Sequence, residues 1–269
     1  MVRFQVMSIK CRSFKELNYK LWRNIVNLYM KDSLTHVYLF YDLIYEIDNT
    51  DIHMAVSNDN IVGYLLIWKG PRILGIHIWG QAHSLIKYIP YINKSIIHVY
   101  DDSLVASILN YLHSKNAKVS TKCYLDMATD EDKFVPYNPE RARRLSIEDL
   151  DKFIELKTVQ GRRVDRDFAK NIIIKWRYYG VFHDDKLVSI ACTYLRTNEV
   201  WIIGDVYTHP DYRGKGYGKI VTSAITRDAV NSGAKALLHV EEDNEPAIKV
   251  YKKLGYEVIG KKKWIFVNI

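Results

Sequence analysis

One stretch constrains the fold of this chain more than any other. Val206-Tyr207-Thr208-His-Pro-Asp-Tyr-Arg213-Gly214-Lys215-Gly216-Tyr217-Gly218-Lys219 carries an apolar strand into Pro210, then through three alternating glycines, and directly into a helix. That helix is expected from about Gly216 to Ser232, with Val221, Ala224, Ile225 and Ala229 on one stripe and Gly233 as its stop. Glycine inside a helix costs about 0.5–1 kcal/mol relative to alanine, so three at a helix entrance need a reason. The N–H groups of a first helical turn have no intrahelical partner, and the helix dipole places partial positive charge there. Glycines clear the way for a bulky anion, and Arg213, Lys215 and Lys219 stand beside it as cations. The stretch reads as a phosphate cradle made of main chain.

Two familiar phosphate motifs fail on spacing. A mononucleotide loop needs Ser or Thr after Gly218-Lys219, where Ile220 stands, and a dinucleotide fingerprint needs glycine where Lys219 stands. What fits is R-x-x-G-x-G: Arg213, Gly216, Gly218. Downstream lies Asn244-Glu-Pro-Ala247-Ile-Lys-Val-Tyr251-Lys-Lys-Leu-Gly255-Tyr256, which fits N-x-x-A-x-x-x-Y-x-x-x-G-[FY] at every fixed position. Together the two patterns resemble the GNAT superfamily of acetyl-CoA-dependent N-acetyltransferases, and the phrase around Tyr251 is similar to the branch containing the glycine N-acyltransferases. The resemblance covers about residues 140–269.

The element order agrees. After residue 139 a strand is expected at Ala142–Leu145, then a helix capped by Ser146, and a helix over about Asp167–Tyr178. Strands follow at Tyr179–His183, Leu187–Leu195 and Val200–Thr208, then the glycine loop and its helix. A strand Ala236–Val240, a helix opened by Pro246, and a closing strand or pair over Tyr256–Val267 end the chain. The first half repeats this order without the residues. A strand is expected at Val2–Ile9, helices at Phe14–Met30 and Leu34–Tyr45, and strands at His53–Val56, Ile61–Trp68 and Ile73–Trp79. A short helical piece at Ala82–Tyr88, a strand Ser95–Val99, a helix Ser103–His113 and a strand Val119–Met127 complete it. Where the first half needs its glycine loop it has Gly80-Gln-Ala-His-Ser-Leu-Ile, so it reads as a degenerate, non-catalytic copy. The polar stretch Ala128–Pro139 reads as a linker. The expected fold class is therefore α/β with a mixed sheet. Two tandem GNAT-like domains, 1–138 and 139–269, would each hold a mostly antiparallel twisted sheet flanked by helices.

The resemblance implies acetyl-CoA as cofactor, no metal, and a small-molecule or peptide amine as acceptor. It assigns the backbone of Val206, Tyr207 and Thr208 to the pantetheine arm, and residues Arg213 to Lys219 to the pyrophosphate. Asn244 and Ala247 would lie near the arm, and the Tyr251 hydroxyl would protonate the departing thiolate. The general base is left among Asp205, His239 and Glu241 on strands facing the acyl end; histidine has the most suitable ordinary pKa. Two alternatives remain, an amino-acid N-acyltransferase using a larger acyl-CoA and a non-catalytic module that responds to coenzyme A.

Composition excludes other classes. The net charge is +8, but the basic residues form neither a tail nor an Arg-rich helix, which argues against a nucleic-acid binder. The three cysteines are scattered without metal-ligand spacing, consistent with a reducing, cytoplasmic setting. No apolar run approaches the roughly 18 residues a membrane helix needs, so no membrane partner is expected. Nothing in the sequence fixes the oligomeric state.

Overall fold

The structure is a computed structural model that describes residues 10–13 and 16–268. The strand expected at Val2–Ile9 and the start of the helix expected from Phe14 lie outside the described residues. The chain divides into two units, Met1–Tyr124 with Lys261–Ile269, and Leu125–Gly260.

In the first unit, β1 (Lys10–Ser13) precedes α1 (Tyr19–Lys31) and α2 (Ser33–Tyr45). Then come β2 (Thr50–Ser57), β3 (Asn60–Lys69), β4 (Leu74–Gly80), a 3-10 turn His83–Tyr88 and β5 (Ser95–Val99). α3 (Val105–Ser114) and β6 (Val119–Thr129) follow. Asn18 starts α1 by accepting from Leu21 N at 3.1 Å, and Asp32 starts α2 by accepting from Thr35 N at 3.1 Å. β1 to β4 pair antiparallel in chain order, and β4 runs parallel to β5. Leu65, Ile67, Ile76, Ile78 and Ile97 of this sheet pack on Leu104, Ile108 and Leu112, the apolar stripe at and before α3. Each such side chain contributes about 1.5–3 kcal/mol by leaving water.

The second unit begins within β6. It continues through β7 (Arg143–Arg144), α4 (Leu150–Val159), α5 (Arg166–Lys175), β8 (Arg177–His183), β9 (Lys186–Arg196) and β10 (Val200–Thr208). α6 (Tyr217–Asn231), β11 (Lys235–Glu241), α7 (Glu245–Lys253) and the start of β12 (Glu257–Val267) complete it. β7, β8, β9 and β10 pair antiparallel, and β10 pairs parallel with β11. One sheet face carries α6 and α7 over Val188, Ala191, Ile203, Leu238 and Val240. The other carries α4 and α5 over Tyr178, Leu187, Ile190 and Cys192.

The division differs from the expected cut at 138/139. The last nine residues belong to the first unit, where Lys263–Val267 of β12 pair antiparallel with Val99–Ser95 of β5. The expected linker Ala128–Pro139 belongs to the second unit, where Val135 N donates to Leu254 O at 3.1 Å and Tyr137 N to Ser223 Oγ at 2.8 Å. A local polar composition hid these long-range hydrogen bonds. The helix expected to reach Tyr178 stops at Lys175, because Trp176 turns to extended φ/ψ and Tyr178 and Tyr179 enter β8. The closing segment is one strand rather than a pair.

Candidate functional site

The site begins where two strands part. β10 and β11 are in register from Val200↔Lys235 to Ile203↔Leu238, and the pairing ends there although β10 continues to Thr208 and β11 to Glu241. On its other edge β10 pairs with β9 at Gly204↔Cys192 and again at Tyr207↔Ile190. Asp205 and Val206 therefore oppose Ala191 alone, which is a β-bulge. Asp205 takes φ +50°, a left-handed backbone that aspartate tolerates better than most residues. Within the bulge Val206 packs toward the α6 face, and beyond it Tyr207 packs toward the α4–α5 face.

The glycine loop follows. Among the described residues, the N–H groups from Gly214 to Lys219 have no protein acceptor; the first helical donor is Ile220, to Gly216 O at 3.0 Å. Gly214 and Gly216 are left-handed, with φ +77° and +81°, so the chain reverses into α6 only because they lack a Cβ. A Cβ on Gly218 would stand 3.2 Å from Thr208 Oγ1, filling the gap between loop and strand end. The result is a row of unpaired donors at the N-terminus of a 15-residue helix, suited to a multivalent anion.

The side chains of the loop stabilise it locally. Arg213 Nε donates to Thr208 O at 3.2 Å, which ties the loop back to the end of β10. The Lys215 ammonium lies 5.1 Å from the Tyr212 ring centroid, and Lys219 lies 3.7 Å from that of Tyr137. Tyr217 is buried, its hydroxyl 3.1 Å from His183 Nδ1. Tyr137, absent from the expected site, lies beside the helix entrance, with its hydroxyl 3.6 Å from where a Cβ on Gly216 would be.

Asn244 caps α7, accepting from Ala247 N at 3.3 Å, and Pro246 sits in the first turn. Ala247 and Tyr251 pack in the cluster beneath α6. Tyr251 is 7% exposed, and burial pushes its phenol up to about 12, so it stays protonated at neutral pH. Its hydroxyl has no hydrogen-bond partner among the described residues.

The three base candidates separate clearly. His239, in β11 just past the parting point, has Nδ1 2.6 Å from Asp126 Oδ1, and both side chains are 5% exposed. A carboxylate on one ring nitrogen fixes the tautomer and orients the ring. Glu241 ends β11 and is half-buried. Asp205 is already saturated. Its carboxylate accepts from Lys157 Nζ at 2.7 and 2.9 Å, from Tyr178 OH at 2.8 Å, and from Gln160 Nε2 at 3.2 Å. Arg162 Nη1 lies a further 3.4 Å from it. The Asp205 carboxylate is thus occupied by donors from within the protein. Burial lowers the Lys157 pKa, with the charge of Asp205 pulling the other way. The sequence did not point to Lys157 or Asp126, since neither lies in a motif.

Residues 178–265 match the family model described as FR47-like protein. A mycothiol acetyltransferase of Corynebacterium aurimucosum is 41% identical over 61 residues, 22% of this chain and 19% of that protein. The chain thus matches about a fifth of the length of that curated relative. A solved Drosophila protein superposes with a TM-score of 0.73 at 13% identity, over 97% of this chain and 99% of that one. A tandem GNAT protein from the clavulanic acid biosynthesis pathway, solved without acetyl-CoA, gives 0.51 at 16% identity, over 81% and 82%. The fold is mixed α/β, like that of the solved tandem GNAT protein. The similarity to glycine N-acyltransferases is a matter of the Tyr251 phrase alone.

Proposed function

We propose that this chain is an N-acetyltransferase that uses acetyl-CoA and a small-molecule or peptide primary amine, with the second unit as its catalytic part. The observation that carries the reading is the row of unpaired amides from Gly214 to Lys219, opening beside strands that part after Ile203 and Leu238. That cradle fits a diphosphate, since its left-handed glycines leave the donors uncovered. The named acetyltransferase relative supports acetyl transfer in general.

Bound acetyl-CoA supplies an activated thioester and a thiol leaving group. The residues of the chain do the rest. Amides 214 to 219 hold the diphosphate, and the exposed edge of β10 from Gly204 to Thr208 lines up the arm. Backbone N–H at the bulge stabilises charge developing on the acyl oxygen. His239, oriented by Asp126, takes a proton from the attacking amine. Tyr251 keeps a proton at its hydroxyl until the thiolate needs it, as its raised pKa allows. In this reading the amine attacks the thioester directly within a ternary complex, and no side chain of the chain is acylated. The degenerate loop at Gly80 supports a non-catalytic role for the first unit.

The test is thiol release from acetyl-CoA against a panel of primary amines, with longer acyl-CoA esters in competition. Amine-dependent release is the expected result. Release only from longer esters would favour an amino-acid N-acyltransferase, and binding of coenzyme A without release under any amine would favour a regulatory module.

A further inference from the structure

The saturated carboxylate of Asp205 needs an account of its own. Lys157 is 3% exposed and the Asp205 side chain 9%, so two charges have been taken out of water. That costs several kcal/mol per ion, and a well-packed apolar pair is often as stable or more so. Stability therefore gives no reason for the pair to be there. Its position does. Asp205 is the left-handed residue of the bulge, at the point where β10 has just left β11. Its carboxylate is gripped from α4 by Lys157, from the turn after α4 by Gln160, and from β8 by Tyr178. Rotating the Asp205 backbone out of φ +50° would pull the carboxylate off all three.

We propose that Lys157 and Asp205 form a buried brace that presets the β10 bulge, which makes both of them positioning residues for acyl transfer. The proposal rests on the acetyltransferase reading of the same site. Neither side chain is given a contact with substrate. Their work is to hold the main chain of Asp205 and Val206 in one orientation, so that the N–H that meets the acyl oxygen is already aimed. Asp205, which the sequence offered as a base, thus acts through its backbone.

The experiment replaces the brace while keeping the bulge accessible. Lys157→Met with Asp205→Gly removes both charges, and glycine adopts positive φ freely. The expected result is a folded protein whose amides from Gly204 to Tyr207 exchange hydrogen roughly tenfold faster, with exchange in α6 unchanged. kcat should fall about tenfold or more while affinity for coenzyme A stays within about threefold. Asp205→Asn, which keeps shape and tolerance of left-handed backbone, should give the same split. Unchanged exchange and kcat in either variant would overturn the proposal. So would unfolding of both, because the pair would then belong to global stability rather than to the site. If the unmodified protein transfers no acyl group to any amine, the acetyltransferase reading fails by itself. The hydrogen-exchange comparison would still decide whether the brace exists.

Discussion

The two strand-to-loop transitions, after β4 in the first unit and after β10 in the second, start from the same topology and end differently. β4 pairs with β3 from Gly63↔Gly80 to Lys69↔Leu74 without a shift, and stays parallel to β5 through Ile78↔Val99, with Tyr100 N then donating to Ile78 O at 3.1 Å. β10 has a bulge and leaves its neighbour after Ile203. The amides after β4 are consumed internally, Gln81 N by Val62 O at 2.9 Å and Ala82 N by Gly80 O at 2.7 Å, and a 3-10 turn follows in place of a long helix. After β10 the amides of His209, Tyr212 and Arg213 are likewise consumed, but those from Gly214 to Lys219 have no protein acceptor among the described residues. The glycines differ too. A Cβ on Gly80 would collide with the Val62 carbonyl, whereas one on Gly214 would meet nothing within 4 Å. A glycine matters for a ligand when the space it leaves faces outward.

The comparison breaks most severely if the units are cut where composition suggests. A fragment 139–269 lacks Asp126, Val135 and Tyr137 of the second unit and leaves Lys263–Val267 without β5. It should fail to fold, with no cooperative transition by circular dichroism, and a sharp transition would restore the boundary at 138/139. Next in size, Gly216→Val puts a β-branched residue at φ +81° and should weaken coenzyme A binding by at least ~100-fold in calorimetry. An unaffected affinity would mean that the cradle is not the anchor. Tyr251→Phe should lower kcat about 100-fold while leaving coenzyme A affinity nearly unchanged. A drop in affinity with kcat retained would make the phenol a packing residue. The smallest effect sharpens the contrast from the other side. Gly80→Ala should cost roughly 1–3 kcal/mol in denaturant unfolding and leave coenzyme A affinity untouched.

Local signals were legible in the sequence because each is complete within a few residues. The glycine loop, the stripe of α6, the Asn244 cap and the inward position of Tyr251 are of this kind. What stayed hidden is long-range. His239 meets Asp126 across 113 positions, and Asp205 meets Lys157 across 48. No spacing rule joins either pair. The bulge depends on how β10 and β9 slip past each other, and strand alternation alone does not encode it. The place of β12 in the first unit depends on pairing with β5, more than 160 residues upstream, by Lys263↔Val99. Polar composition marked Ala128–Pro139 as a linker for the same reason, since its partners Ser223 and Leu254 lie far along the chain.

The central claim is that main chain at the mouth of α6, in the second unit, holds the diphosphate of coenzyme A. A crystal structure with coenzyme A bound tests it most directly. Diphosphate oxygens should lie within hydrogen-bonding distance of several amides between Gly214 and Lys219, with the sulfur reaching the Tyr251 hydroxyl. Density for the cofactor beside Gly80 in the first unit, or bound elsewhere with those amides untouched, would contradict the account.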